Sequence, residues 1–175
     1  MAAKKKKSNY QLVIVESPGK VKTIQNFLGP SFVVEASVGH VRDLVDKPPA
    51  GVRQAVPGVE IENGSFDLTY EVDKKKEKVV ANLKRLAKGA SEIWFATDLD
   101  REGEAIAWHL AELIGVDPRQ AKRVTFDAIT KQAVTRAFEN PRPIDMLLVN
   151  AQQARRALDK IVGYIVSPIV WKNVA

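Results

Sequence analysis

Residues 12–20 read LVIVESPGK. Four apolar residues closed by Ser-Pro-Gly predict a strand buried on both faces, as in a parallel sheet, that ends in a tight turn. At such turns α/β proteins hold phosphate on glycine-rich backbone. Here the strand tip carries Glu16 instead, with Lys20 four residues on. The Walker-type reading of SPGKVKT fails, because that motif needs glycine where Ile14 stands and Ser or Thr where Val21 stands. The strand therefore delivers an acid to the place where a phosphate cradle is expected.

Working outward, Leu12–Val15, Phe32–Ala36, Leu68–Val72, Ile93–Ala96 and Arg123–Phe126 are short runs rich in β-branched or aromatic residues. Helical patterns separate them. Val21–Leu28 stops at Gly29-Pro30, and Lys74–Ala87 gathers Val79, Val80, Leu83 and Leu86 on one face. Ile106, Leu110 and Leu113 mark another helix, and Thr130 is placed to cap Gln132–Phe138. Alternating strands and helices predict an α/β fold with a mostly parallel sheet flanked by helices. Residues 46–66, rich in proline and glycine, read as an excursion from the core, and a helical pattern resumes from about Asp145.

At 175 residues and 45% hydrophobic content, the chain can bury one sizeable core. It has no cysteine and only two histidines, His40 and His109, which excludes disulfides and thiolate zinc sites and disfavours a histidine-built metal site. No apolar run approaches the roughly 18 residues of a membrane span, and the start MAAKKKK carries no apolar signal stretch. A soluble cytoplasmic protein is expected. Of the net charge of +6, four charges belong to Lys4–Lys7 in a basic tail expected to be disordered over residues 1–8. Charge alone therefore says little about partners.

The second informative stretch is IWFATDLDREGEAIAWHL at 93–110, where an apolar strand again runs into acids: Asp98, Asp100, Glu102 and Glu104. Side chains two apart in extended chain point the same way, so Asp98 and Asp100 can face one crevice. If the strands ending at Glu16 and Asp98 are parallel neighbours, these carboxylates meet at the C-terminal edge of the sheet. Gathered like charges need a cation, and Mg2+ takes carboxylate oxygens while keeping waters that a phosphate can replace. For Glu104 an acid favouring the helix N-terminus explains the residue equally well.

Near the C-terminus, Arg155, Arg156, Lys160 and Lys172 stand against a single acid, Asp159. Arg156 and Lys160 share a helix face, spaced to suit successive phosphates of a strand or simply to face solvent. Trp171 could stack on a base or belong to a core.

The blocks LVIVESPGK, SVGHVRDL at 37–44, ATDLDREGEAIAWHL at 96–110 and VNAQQARRALDKIVGYIVSPIVWK at 149–172, in this order, resemble the N-terminal part of bacterial type IA DNA topoisomerases. The resemblance implies a Toprim (Rossmann-like) domain over residues 9–140 and the start of a helical DNA-binding domain over 141–175. It implies Glu16 as metal ligand and proton donor at the scissile phosphate, and Asp98, Asp100 and Glu102 as the Mg2+ triad. Lys20 and Arg101 would offset phosphate charge. His40, Arg155, Arg156 and Lys160 would contact single-stranded segments of negatively supercoiled DNA, and the basic stretch adds Lys172 and Trp171 to that expected surface. The family's nucleophile is a tyrosine followed two residues on by arginine, and none of Tyr10, Tyr70 and Tyr164 has that context. The chain is accordingly expected to be an inactive piece that works with the remaining domains of its parent, as a monomer at the nucleoid. Two other readings compete: a stand-alone Toprim nuclease that activates water with the same acids, and a non-catalytic DNA-binding module.

Overall fold

The computed structural model describes residues 10–48, 50, 51, 54–62 and 65–174. The expectation for the basic tail lies outside them. Four parallel strands form the central sheet: β1 (Gln11–Val15), β2 (Phe32–Ala36), β7 (Ile93–Ala96) and β8 (Lys122–Arg123), in the order β2-β1-β7-β8. Five helices surround or extend it: α1 (Pro18–Leu28), α2 (Glu77–Gly89), α3 (Arg101–Ile114), α4 (Lys131–Glu139) and α5 (Met146–Ile161). A π-helical turn at Val162–Val166 leads into α6 (Ser167–Val174). No described helix is long and apolar enough to cross a membrane.

The unbroken apolar run of β1 follows from burial on both faces. Leu12 and Ile14 sit in one core with Val80 and Leu83 of α2 and Ile106 and Leu110 of α3. Val13 and Val15 point the other way, into a second core with Ile24 of α1 and Val134 of α4. Fully burying each such side chain contributes about 1.5–3 kcal/mol. Ile144 and Val149 belong to the first core, so packing is continuous across the boundary expected at residue 140.

From β1 the chain winds through α1 to β2 on one side, and later returns to β7 on the other. The sheet therefore changes winding direction between β1 and β7, and the crevice outside their C-terminal ends is where open α/β sheets bind ligands. The register sets Val15 beside Ala96, so Glu16 and the segment starting at Thr97 leave the sheet side by side.

Three expectations change. The run Leu68–Val72 is not a strand of the main sheet. It divides at Thr69 into β5 (Ser65–Leu68), paired antiparallel with β4 (Val59–Glu62), and β6 (Tyr70–Val72), paired antiparallel with β3 (Arg42–Leu44). The excursion also has a small core of its own: Leu44, Val56 and Val59 close on Ala157 of α5. The last strand is shorter than Arg123–Phe126, although the Val124 amide still reaches Phe95 O at 2.9 Å.

Candidate active site and metal centre

Glu16 directly follows β1, and Ser17 accepts the Gly19 amide to start α1 at Pro18. Lys20, in the first turn of α1, meets Asp98, which follows β7 by one residue. The Oε2 atom of Glu16 is buried with no hydrogen-bond partner, as is the neighbouring Ser37 hydroxyl. Ser37 begins the turn that covers the strand end: its amide reaches Val15 O at 2.9 Å, and the Gly39 amide reaches Glu16 O at 3.1 Å. Val38 (φ 60°) and Gly39 (φ 79°) are both left-handed. For a β-branched residue that conformation is strained, a feature that clusters at functional sites. The turn delivers His40, whose Nε2 lies 3.1 Å from Glu102 Oε2.

The acid motif is built differently from the extended crevice expected. Asp100 is the N-cap of α3 and accepts the Gly103 amide at 2.7 Å. Gly103 is required for packing, because a Cβ there would overlap the Asp98 carbonyl. Glu102 holds His40 and, on the same oxygen, the Gln152 amide of α5 at 3.2 Å, while Arg101 Nε lies 4.0 Å from its other oxygen.

Glu104 is neither a metal acid nor merely a helix-start acid. It is 1% exposed and accepts Arg142 at 2.8 and 3.0 Å, Arg123 Nε at 3.1 Å and the Asp145 amide at 2.6 Å. Burial opposes its charge, yet the Arg142 bonds, the Asp145 amide and the nearby Arg123 hold its carboxyl below the usual range. Arg123 is fully buried and also donates to the carbonyls of Phe95, Thr97, Val124 and Asp98. One guanidinium thus fixes the end of β7 and the peptide that carries Asp98. The sequence reading missed Arg123, Arg142 and Gln152. Only Arg123 leaves a local signal, a charged residue opening the apolar run KRVTF.

Among the described residues, no three carboxylate or imidazole groups converge closely enough to hold a metal ion as the side chains lie. Asp98 is on Lys20, Asp100 is on its own helix and Glu102 is on His40 and Gln152. The donor set still fits a hard divalent cation. Glu16 offers a buried oxygen with no other partner, and Asp98 follows the adjacent parallel strand β7.

The basic C-terminal residues divide. Arg156 pairs with Asp43 of β3, and Lys160 donates to Leu44 O at 3.2 Å and Val45 O at 2.7 Å, so their shared face clamps the appended lobe. Arg155 points elsewhere, 3.8 Å from Asp159. Trp171 is 73% exposed on α6, which excludes a core position in this structure, and Lys172 beside it is exposed.

A cavity of about 300 Å³ lies between α5 and the acid motif, lined by His40, Arg42, Tyr70, Glu102, His109 and Gln152 among others. Arg42 Nε donates to His109 Nδ1 at 2.9 Å and lies over the rings of Tyr70 and Trp108. Burial, then the Arg42 and His40 charges, push the His109 imidazole down to about 3.

Residues 11–129 match the Toprim domain. The chain is 48% identical to DNA topoisomerase 1 of Pseudomonas aeruginosa over 94% of its own length and 22% of that protein. It is likewise 48% identical to DNA topoisomerase 1 of Escherichia coli, over 94% of this chain and 21% of that one. Full-length topoisomerase I from Thermotoga maritima matches with a TM-score of 0.77 at 46% identity, over 91% of this chain and 26% of that chain. The chain thus spans about a fifth of the length of the curated relatives it matches. A parallel sheet whose switch point carries Glu16 and the Asp98–Glu102 motif, matched across residues 11–129, makes this chain a member of the Toprim family, similar along nearly its whole length to bacterial DNA topoisomerase 1.

Proposed function

We propose that the chain is the part of a type IA DNA topoisomerase that holds the scissile phosphate, in an enzyme that relaxes negatively supercoiled DNA by transient single-strand cleavage. The observation that carries this reading is the buried, unpartnered Glu16 Oε2 at the switch point, beside the Lys20–Asp98 pair. Glu16, Asp98, Asp100 and Glu102 would hold Mg2+. Bound there, the ion supplies positive charge that neutralises the scissile phosphate.

In the cleavage step a tyrosine phenol gives its proton to solvent and its oxygen bonds to phosphorus, the bond from phosphorus to the 3′ oxygen breaks, and that oxygen leaves with a proton from Glu16. Religation reverses each transfer. The phosphodiester energy is kept in the tyrosine link, so no nucleotide is consumed. Lys20 and Arg101 offset charge on the phosphate, and single-stranded DNA lies along α5.

The nucleophile is none of the described tyrosines. Tyr10 lies at the opposite end of β1 and donates its hydroxyl to Leu86 O at 2.7 Å. Burial pushes the Tyr70 phenol up to about 12. Tyr164 sits in the π-helical turn beyond α5 with Lys160 over its ring. Water activation by the same acids, the nuclease alternative, has no specific observation in its favour.

The test replaces the matching N-terminal segment of Escherichia coli DNA topoisomerase 1 with this chain. The chimera should relax negatively supercoiled plasmid in Mg2+, and Glu16→Ala should abolish relaxation. A Glu16→Ala chimera as active as its parent would contradict the assignment.

A further inference from the structure

Gln152 lies within α5, one turn before Arg155 and Arg156, and is 7% exposed. Its Nε2 stands 3.2 Å from Glu102 Oε2, the same oxygen that His40 Nε2 approaches at 3.1 Å. A carboxylate only accepts hydrogen bonds, so the amide nitrogen must be the atom turned toward it. The other amide atom, Oε1, is buried without a protein partner, in the cavity between α5 and the acid motif. The amide orientation is therefore set by Glu102 and not by a competing bond to its oxygen. A buried polar atom left unpaired is costly, and the fold carries that cost while keeping the amide on the acid.

We propose that Gln152 is a positioning residue for the metal: together with His40 it occupies Oε2 of Glu102, so that Oε1 is the oxygen presented to the cation. Arg101 Nε stands 4.0 Å from Oε1, too far for a hydrogen bond. The helix proposed to carry the DNA strand thereby reaches into the metal site through a neutral side chain. Hydrogen bonds of this kind orient ligating carboxylates, and losing one typically costs 10–100-fold in metal affinity. The inference rests on the reading of Glu102 as a metal ligand.

The experiment titrates the 175-residue chain with Mn2+ as probe and follows free Mn2+ by electron paramagnetic resonance, without DNA and without any activity assay. Wild type should bind Mn2+, and Glu102→Gln should bind it markedly more weakly. Gln152→Leu, close in size but without the donor, should weaken binding about tenfold while its metal-free melting temperature stays near wild type. Gln152→Asn keeps the amide but loses a methylene of reach and should show the same loss, which covers the case in which the leucine variant folds poorly. Wild-type affinity in both Gln152 variants, with Glu102→Gln impaired, overturns this inference alone. Equal affinity in wild type and Glu102→Gln, or no binding at all, overturns the underlying ligand assignment as well.

Discussion

Arg142 and Glu104 meet through two nearly equal hydrogen bonds, 2.8 and 3.0 Å, across the junction between the acid motif on α3 and the start of α5. The buried Arg123 completes the arrangement from β8, and the Asp145 N-cap of α5 is held to the same carboxylate. The acid loop and the helix proposed to bind DNA are thus fixed to each other through one buried anion.

Glu104→Gln should be strongly destabilising, because it leaves the Arg123 guanidinium buried without its counter-charge. Breaking a buried pair in this way costs about 3–5 kcal/mol. For a chain of this length that is a fall in melting temperature on the order of 10 °C. Thermal unfolding of wild type and variant at pH 7 checks it, and a change of only a degree or two would show that the buried charge is compensated elsewhere.

His109 should make stability depend on pH well above the carboxylate range. Its folded value, about 3, lies below the ordinary 6.5, so the unfolded chain takes up a proton that the folded chain refuses. Stability is complete above pH 6.5 and falls with pH below it, by at most about 1.4 kcal/mol per unit. Urea unfolding at pH 7, 6 and 5 should show the decline in wild type. His109→Gln, which keeps an acceptor for Arg42 Nε, should be flatter over that window. Glu104 contributes in the same sense only at lower pH, since its depressed value lies under the usual 4.5.

Much of this was legible in the sequence. The doubly buried β1, the parallel arrangement and the start of α3 follow from short-range patterns: an unbroken apolar run, alternating elements and acids after a strand. What stayed hidden depends on distant partners. Arg123 is a positive charge inside a strand pattern, and its meaning comes from Glu104 and from carbonyls up to 28 residues away. Arg142 stands between two prolines and Gln152 is one polar residue among several in its block, so neither position shows its partner locally. The strands of the appended lobe are short, and their antiparallel partners cannot be inferred from periodicity. Asp100 shows the limit of extended-chain reasoning, since residues 97–100 leave the sheet and its side chain turns back to cap α3.

The pairing of Arg156 with Asp43 predicts that DNA competes with an internal salt bridge. Asp43→Asn should raise affinity for a single-stranded oligonucleotide several-fold and steepen its salt dependence by about 0.7, the slope of one phosphate contact. Fluorescence anisotropy across a salt series measures both quantities. An unchanged slope would place Arg156 outside the strand path, leaving Arg155 and Lys172 as the phosphate contacts.

The most direct test of the account is whether Glu16 and Asp98 hold a divalent cation together. Thermal melts of the chain with and without millimolar Mg2+ measure this, since a ligand specific to the folded state at about 100 times its Kd adds about 2.7 kcal/mol. The account predicts a Mg2+-dependent rise in melting temperature of several degrees in wild type that is absent in both Glu16→Gln and Asp98→Asn. A wild type indifferent to Mg2+, or the same rise in both variants, would contradict it.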